Sequence, residues 1–333
     1  MEELNPAPVR SFTNEIQASE AALPDLPIRT VIIPAAGKGT RLLPATRVTA
    51  KELLPVYDRM VLDFAIDEAV GLGAERIVVV ISTEKVAIQA YLSSQAVACQ
   101  GSPVRDVFRK AGPEMIFVFQ DQPRGLGHAV LCCKEVTLPG PFAVLLPDDI
   151  ILGPNCLAEM AAHYTGGHMV AAMQVKPEDA SQYGIFRLGG LPRDNCFPVS
   201  GMVEKPCPGD APSSIAAVGR YILDPVIFDA LEKTPTGKGG ELQLTDAIAL
   251  SVVATPVVAF KFSGTRHDCG NHDGLLGAAI ARKAVARQEF ASGPASASHS
   301  DTPDAVVHAM LPTVKVLGQP ACAARATASV DTQ

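Results

Sequence analysis

The chain has 333 residues, 47% hydrophobic and 19% charged, a balance that supports a sizeable folded core and excludes a disordered chain. Its net charge of −7, without any dense basic run, excludes a general nucleic-acid surface, and the absence of tryptophan with only 5% aromatic residues leaves no stacking platform for single strands. A small phosphorylated substrate needs only a local positive pocket, so that class stays open.

Residues 1–27 carry prolines and polar residues without a sustained period and read as a flexible lead-in. Glu2 and Glu3, with no apolar segment behind them, do not read as a secretory signal, and no run approaches the length of a membrane span. A soluble, cytoplasmic protein is the expectation. Order begins at Thr30-Val31-Ile32-Ile33, which ends at Pro34. Similar runs follow at Arg76–Ile81, Met115–Phe119 and Phe142–Leu146. Runs apolar on both faces suit strands of a parallel sheet covered by helices on each side. Between the first two, Leu62, Ala65, Ile66 and Ala69 lie at helical spacing within Val61–Val70, and Gly71 or Gly73 supplies the stop. Strand, helix, strand in this order predicts an α/β fold, Rossmann-like, with a mixed, mostly parallel central sheet flanked by helices.

The second half predicts strands at Met169–Val175, Gly201–Val203, Ala217–Leu223 and Val257–Phe262, with helices at Cys156–Tyr164, Pro225–Glu232 and Leu244–Val253. No helical pattern is evident between Lys85 and Glu114. Residues 288–333 turn rich in Ala, Ser, Thr and Pro and read as a mostly disordered tail, interrupted by a short apolar docking segment at Val306–Val316. The folded domain then spans residues 28–287, with a change of character near residue 155. The eight cysteines follow no zinc or disulfide spacing and read as free thiols.

The first strand delivers Ala35-Ala36-Gly37-Lys38-Gly39-Thr40-Arg41. Small residues at the end of a parallel strand let backbone N–H groups approach a polyphosphate, and Arg41 adds a fixed fork of donors. This is no Walker loop, because the lysine lies between the glycines. It is no dinucleotide fingerprint either, because Leu42 stands where a third glycine or alanine belongs. Ten residues on comes Lys51-Glu52-Leu53-Leu54-Pro55.

Gly-x-Gly-Thr-Arg-Leu-x-Pro followed by Lys-Glu-Leu-Leu-Pro resembles the sugar nucleotidylyltransferase superfamily, and Leu43-Pro44-Ala45-Thr46 resembles its bacterial UTP–glucose-1-phosphate uridylyltransferase branch. The resemblance covers about Thr30 to Arg287 and implies the nucleotide-diphospho-sugar transferase type of fold, with a nucleotide half at about 28–155 and a sugar half at about 156–287. It implies nucleotide contacts from Ala35, Ala36, Gly37, Gly39, Thr40 and Glu52, with Arg41 and Lys51 neutralising the triphosphate and the departing pyrophosphate. Gln120 and Gly125, the latter in Gly125-Leu126-Gly127-His128, would read the uracil edge, the glutamine amide both donating and accepting. Asp148 matches the magnesium ligand, and Asp268 is the candidate for a second protein oxygen, since magnesium takes one or two carboxylates besides phosphates and waters. Asp149 reads as a cap or turn residue. Glu204 would hold glucose hydroxyls, Lys205 would meet the sugar phosphate as a catalytic charge, and Gly184 would leave room for the ring. Gly240–Ile248 matches a family signature whose role reads as packing.

The implied reaction joins UTP and glucose 1-phosphate into UDP-glucose and pyrophosphate with Mg2+, in a homo-oligomer that binds neither nucleic acid nor membrane. Leu54-Pro55-Val56-Tyr57-Asp58 is similar to the related thymidylyltransferases, which keeps dTTP open. A non-catalytic nucleotide-sugar-binding regulator is the alternative from another class.

Overall fold

The computed structural model of the chain describes residues 27–97, 112–207, 209–237, 240–291 and 315–317. The lead-in up to residue 26, and the docking segment apart from Lys315 and Val316, lie outside the described residues. In chain order the elements begin with β1 (Thr30–Pro34), a short hairpin of β2 (Pro55–Val56) and β3 (Arg59–Met60), α1 (Val61–Gly71), β4 (Arg76–Ile81) and α2 (Val86–Val97). Next come β5 (Glu114–Phe119), α3 (Leu126–Leu131), β6 (Phe142–Leu145), β7 (Asp149–Leu152), α4 (Cys156–Ala162) and β8 (His168–Gln174). The chain continues through β9 (Gly184–Leu188), β10 (Cys196–Glu204), β11 (Ile215–Leu223), α5 (Ile227–Lys233) and α6 (Leu244–Ser251). It closes with β12 (Val257–Lys261), β13 (Thr265–Asp268), α7 (His272–Ala291) and β14 (Lys315–Leu317).

The apolar runs bury both faces of one sheet. Val31, Ile33, Ile77, Val79 and Phe117 join a core under α1, α2 and α4, while Ile32, Val78, Val80 and Ile116 join a second core under α3, α5 and α6. Strand residues alternate sides, so two helical layers require a run without polar interruption. The sheet order is β14-β5-β4-β1-β6-β11-β8-β12-β10-β9. Pairing is parallel from β14 to β6, and β11 then enters antiparallel to both β6 and β8. Beyond it only β8 and β12 run parallel. The parallel character predicted from the sequence therefore belongs to the N-terminal half. A pairing of Ala216 with Ile185 brings β9 back onto β11 and closes a ring of five strands in the C-terminal half. No helix among the described residues is long and apolar enough to cross a membrane.

Two expectations change. Residues 86–97 form α2, whose apolar anchors are Ile88 and Leu92, a single i, i+4 pair too sparse to show a period. The tail does not begin at Gln288, because α7 continues to Ala291, its stripe diluted by Gly274, Gly277 and several alanines.

One buried titratable group ties stability to pH. His168 is fully buried at the start of β8, its Nδ1 accepting the Asp224 N–H at 3.2 Å and its Nε2 without a partner. Burial pushes its pKa down to about 4, against the weaker opposing charge of Asp224. An unfolded imidazole takes its proton near pH 6.5, so between those values the unfolded chain binds more protons and stability falls as pH drops. Between pH 7 and pH 5, urea unfolding of the wild type should show about 2 kcal/mol more loss than that of His168→Gln. Equal losses in the two proteins would remove His168 from the acid response.

Candidate active site

The loop after β1 is fixed from below. Ala35 donates its N–H to the Val80 carbonyl at 2.7 Å, and Ala35 and Ala36 are buried while Gly37 and Thr40 are exposed. Gly39 has φ 66°, its carbonyl accepts the Thr46 hydroxyl at 2.7 Å, and a Cβ there would lie 3.3 Å from the Lys51 Cβ. Left-handed backbone and close approach together make this position a glycine. The next turn, Thr40–Leu42, is anchored by the fully buried Leu42 and leaves the Arg41 guanidinium 66% exposed, 3.8 Å from Asp268 Oδ2.

Lys51 and Glu52 part company. Lys51 Nζ donates to Asp148 Oδ2 at 2.5 Å. Burial works against its charge, but the Asp148 and Glu52 carboxylates outweigh burial and hold its pKa above the ordinary lysine value. Glu52 is wholly buried, and both its oxygens accept from Lys85 Nζ, at 2.8 and 3.1 Å. The same ammonium donates to the Ala35 carbonyl at 2.8 Å. The Glu52 side chain is therefore a strut beneath the phosphate loop, not a group on its ligand side. Lys85, which has no motif around it, completes the strut.

Asp148 and Asp268 converge. β7 and β13 pair with Asp149 opposite Asp268, and the Cys269 N–H donates to the Asp148 carbonyl at 2.7 Å. A Cβ built on Gly270 would lie 2.9 Å from Asp268 Oδ1, 3.1 Å from Asp148 Oδ2 and 2.6 Å from Arg41 Nη2. Burial alone would raise the Asp148 pKa, but the Lys51 ammonium overrides it and keeps the carboxyl below its usual range. Among the described residues no group of three or more His, Cys, Asp or Glu side chains is placed to hold a metal. Two converging carboxylates next to a phosphate loop fit magnesium, which completes its shell from phosphates and water, better than an all-protein cage.

Asp149 is not a cap. It is buried, accepts the Gly219 N–H at 2.9 Å, and receives both the Nε (2.9 Å) and the Nη2 of Arg266. Arg266 in turn donates through Nη1 to the Tyr183 hydroxyl at 3.2 Å and stacks over that ring. This chain of contacts links the strands that carry the two aspartates to the start of β9. Arg266 and Tyr183 both line the cleft. Sequence reading did not find them as site residues, and the only signal was their place beside Asp268 and Gly184.

At the other end of β5, Gln120 is buried and donates through Nε2 to the Gly125 carbonyl at 3.1 Å, with His128 Nδ1 at 2.9 Å from the same nitrogen. The Gly125 loop is pinned by Leu242, far along the chain. Leu242 donates to the Arg124 carbonyl, and its own carbonyl accepts from Gly127, both at 2.8 Å. The Gly240–Ile248 signature thus packs as expected, and Thr245 adds a site role by donating to Glu204 Oε2 at 3.0 Å. Gly184 lies opposite Glu204 in the β9–β10 register, where a Cβ would meet Glu204 Oε2 at 3.2 Å. Lys205 follows with its ammonium 3.4 Å from Glu204 Oε1.

Arg41, Asp148, Asp268, Gly184, Glu204 and Lys205 all line one cleft of about 260 Å³. Lys51 meets it through Asp148, whereas Gln120 and Gly125 stand beside it, next to the lining residue Leu126.

The profile of the nucleotidyl transferase family matches residues 30–284. A UTP–glucose-1-phosphate uridylyltransferase of Pseudomonas aeruginosa is 38% identical over 262 residues, covering 75% of this chain and 94% of the relative. One of Streptococcus pyogenes is 38% identical over 267 residues, covering 76% and 88%. A UDP-glucose pyrophosphorylase solved with UDP-glucose superposes with a TM-score of 0.68 at 34% identity, over 78% of this chain and 99% of that one. A UTP-bound enzyme of that kind from Acinetobacter baumannii gives 0.67 at 33% identity, over 80% and 99%. Match, coverage and cleft agree: the chain belongs to the nucleotidyl transferase family, with the UTP–glucose-1-phosphate uridylyltransferases as its relatives.

Proposed function

We propose that the chain is a UTP–glucose-1-phosphate uridylyltransferase. A phosphate oxygen of glucose 1-phosphate attacks the α-phosphorus of UTP in line, the bond from that phosphorus to the oxygen bridging the β-phosphate breaks, and pyrophosphate leaves as UDP-glucose forms. The substrate phosphate is itself the nucleophile, so the chain's own residues position and neutralise. Arg41 and Lys51 meet the triphosphate, Lys205 the sugar phosphate, and Glu204, held by Thr245, the sugar hydroxyls. Asp148 and Asp268 would hold magnesium, which when bound supplies charge against the phosphates.

The observation that carries this reading is the single cleft lined both by Arg41, Asp148 and Asp268 and by Glu204 and Lys205. The relatives' uridylyltransferase names favour UTP over dTTP. A homo-oligomeric state and a cytoplasmic setting belong to the same reading on resemblance alone. Pyrophosphate release from UTP and glucose 1-phosphate in magnesium buffer is the expected result. Preference for dTTP would overturn the uridylyl assignment, and no release with any sugar phosphate would leave a nucleotide-sugar-binding regulator.

A further inference from the structure

The Gln120 amide is committed on one side. Its Nε2 lies 3.1 Å from the Gly125 carbonyl oxygen and 2.9 Å from His128 Nδ1. Gly125 O is an acceptor only, so the group facing it must be the NH2 and not the amide oxygen, whichever way the electron-rich ends are first assigned. An NH2 group has two hydrogens, and two acceptors take them both. Gly125 O is itself held in place, since it also accepts the Ala129 N–H at 3.2 Å inside the first turn of α3. What remains is Oε1, which accepts no hydrogen bond from any described residue and is the one part of this buried amide left to meet a ligand. Residue type alone allows this amide both to donate and to accept, and the fold leaves its oxygen.

His128 can accept from the amide only as the neutral ring with its proton on Nε2. Burial, and behind it the Arg124 charge, lowers its pKa and favours that neutral form. Cys132 lies alongside the ring, its sulfur 3.7 Å from Nδ1 and 3.9 Å from Nε2, and offers no carboxylate that would draw a second proton onto it.

We infer that His128 is a positioning residue for base selection: by accepting from the Gln120 NH2, it locks the amide oxygen outward as a lone acceptor. A base is then required to present a ring N–H donor at that point. Uracil and thymine do so through N3–H. Cytosine presents a bare N3, which would face the amide oxygen lone pair to lone pair. The same lock gives no discrimination between UTP and dTTP, which share the imide edge. This inference rests on the reading in which Gln120 faces the base.

The test compares kcat/KM for UTP and CTP, each with glucose 1-phosphate and magnesium, in the full-length enzyme. Replacing His128 by leucine removes the second acceptor and frees the amide to turn. The UTP:CTP ratio should fall about tenfold, the worth of one such hydrogen bond. His128→Asn places a carbonyl oxygen near the former Nδ1 and should restore the ratio to within about threefold of wild type, which a merely structural role for the ring would not do. Gln120→Leu separates the two layers of the argument. If that variant leaves the UTP:CTP ratio unchanged, the placement of the base beside Gln120 is wrong. If it collapses the ratio while His128→Leu keeps wild-type discrimination, the base reading stands and the lock is overturned. Loss of the ratio in both His128 variants also overturns it, since the asparagine then fails to substitute for an accepting Nδ1.

Discussion

Turnover of the Lys205→Ala variant should fall by about a hundred- to a thousandfold, the cost typical of removing one preorganised charge from a transition state. The reasons lie in how little else Lys205 does. Its side chain is about half exposed and pairs with Glu204 at 3.4 Å, a spacing that contributes little to stability in water. The backbone is what the fold uses. Lys205 has φ 44°, and its N–H donates to the Tyr183 carbonyl at 3.0 Å, which holds the end of β10 against the start of β9. An alanine preserves that bond, so the melting temperature should hold while kcat drops and KM for glucose 1-phosphate rises more than KM for UTP. Turnover near that of the wild type would remove Lys205 from the chemistry.

The second large effect is on stability. Arg220 is 1% exposed and forms a fork onto Glu68, with Nε at 3.0 Å from both carboxylate oxygens and Nη2 at 2.7 Å from Oε2. Glu68 Oε1 also accepts the Leu157 N–H at 3.1 Å, and Arg220 Nη1 donates to the Leu146 carbonyl at 3.1 Å. Burial works against the Arg220 charge, yet the Glu68 carboxylate holds its pKa above the ordinary value, so the guanidinium keeps its charge where it is buried. Replacing Arg220 by methionine strands the carboxylate and should cost about 3–5 kcal/mol, with the melting temperature falling on the order of 10 °C. The double variant Glu68→Leu/Arg220→Met should regain part of this but not all, because the Leu157 N–H loses its acceptor and the Leu146 carbonyl keeps only the Asp149 N–H. Urea unfolding of the three proteins measures the difference. A single variant as stable as the wild type would show that the pair contributes nothing. Leu146 lies two residues before Asp148, so the same variant should also be less active than its folded fraction accounts for.

Much of the fold was legible because its signal is local. A strand buried on both faces must be apolar at consecutive positions, and Ile77–Ile81 shows that without any partner being known. The convergence of Arg41, Asp148, Glu204 and Lys205 was legible as motifs in order. What escaped was the set of contacts between distant positions: Lys85 on Glu52 across 33 residues, Arg266 on Asp149 across 117, Thr245 on Glu204 across 41. Lys85 has no motif around it, and the motifs beside Arg266 and Thr245 do not say which distant carboxylate each will meet. Glu52 shows the opposite failure. Beside Lys51 it reads as part of the same functional surface, but the single turn Lys51–Leu53 sends adjacent side chains in different directions, one to Asp148 and one beneath the loop. The Gln120 amide shows a third kind. Residue type gives its capacity to donate and accept, and only the fold decides which half is already used.

The way the sheet ends bears on how the protein survives at high concentration. β5 is hydrophobic without interruption from Met115 to Phe119, and its outward row of amides would template pairing with a second molecule. The chain supplies its own partner, since Lys315, Val316 and Leu317 align with Ile116, Phe117 and Val118. At the far side β9 turns onto β11. One border is taken up by three residues with a charged leader, and the other is folded back into the molecule. Long apolar strands are thereby kept from acting as seeds for aggregation, and a segment remote from the cleft in sequence serves as a guard on the strand that carries Gln120.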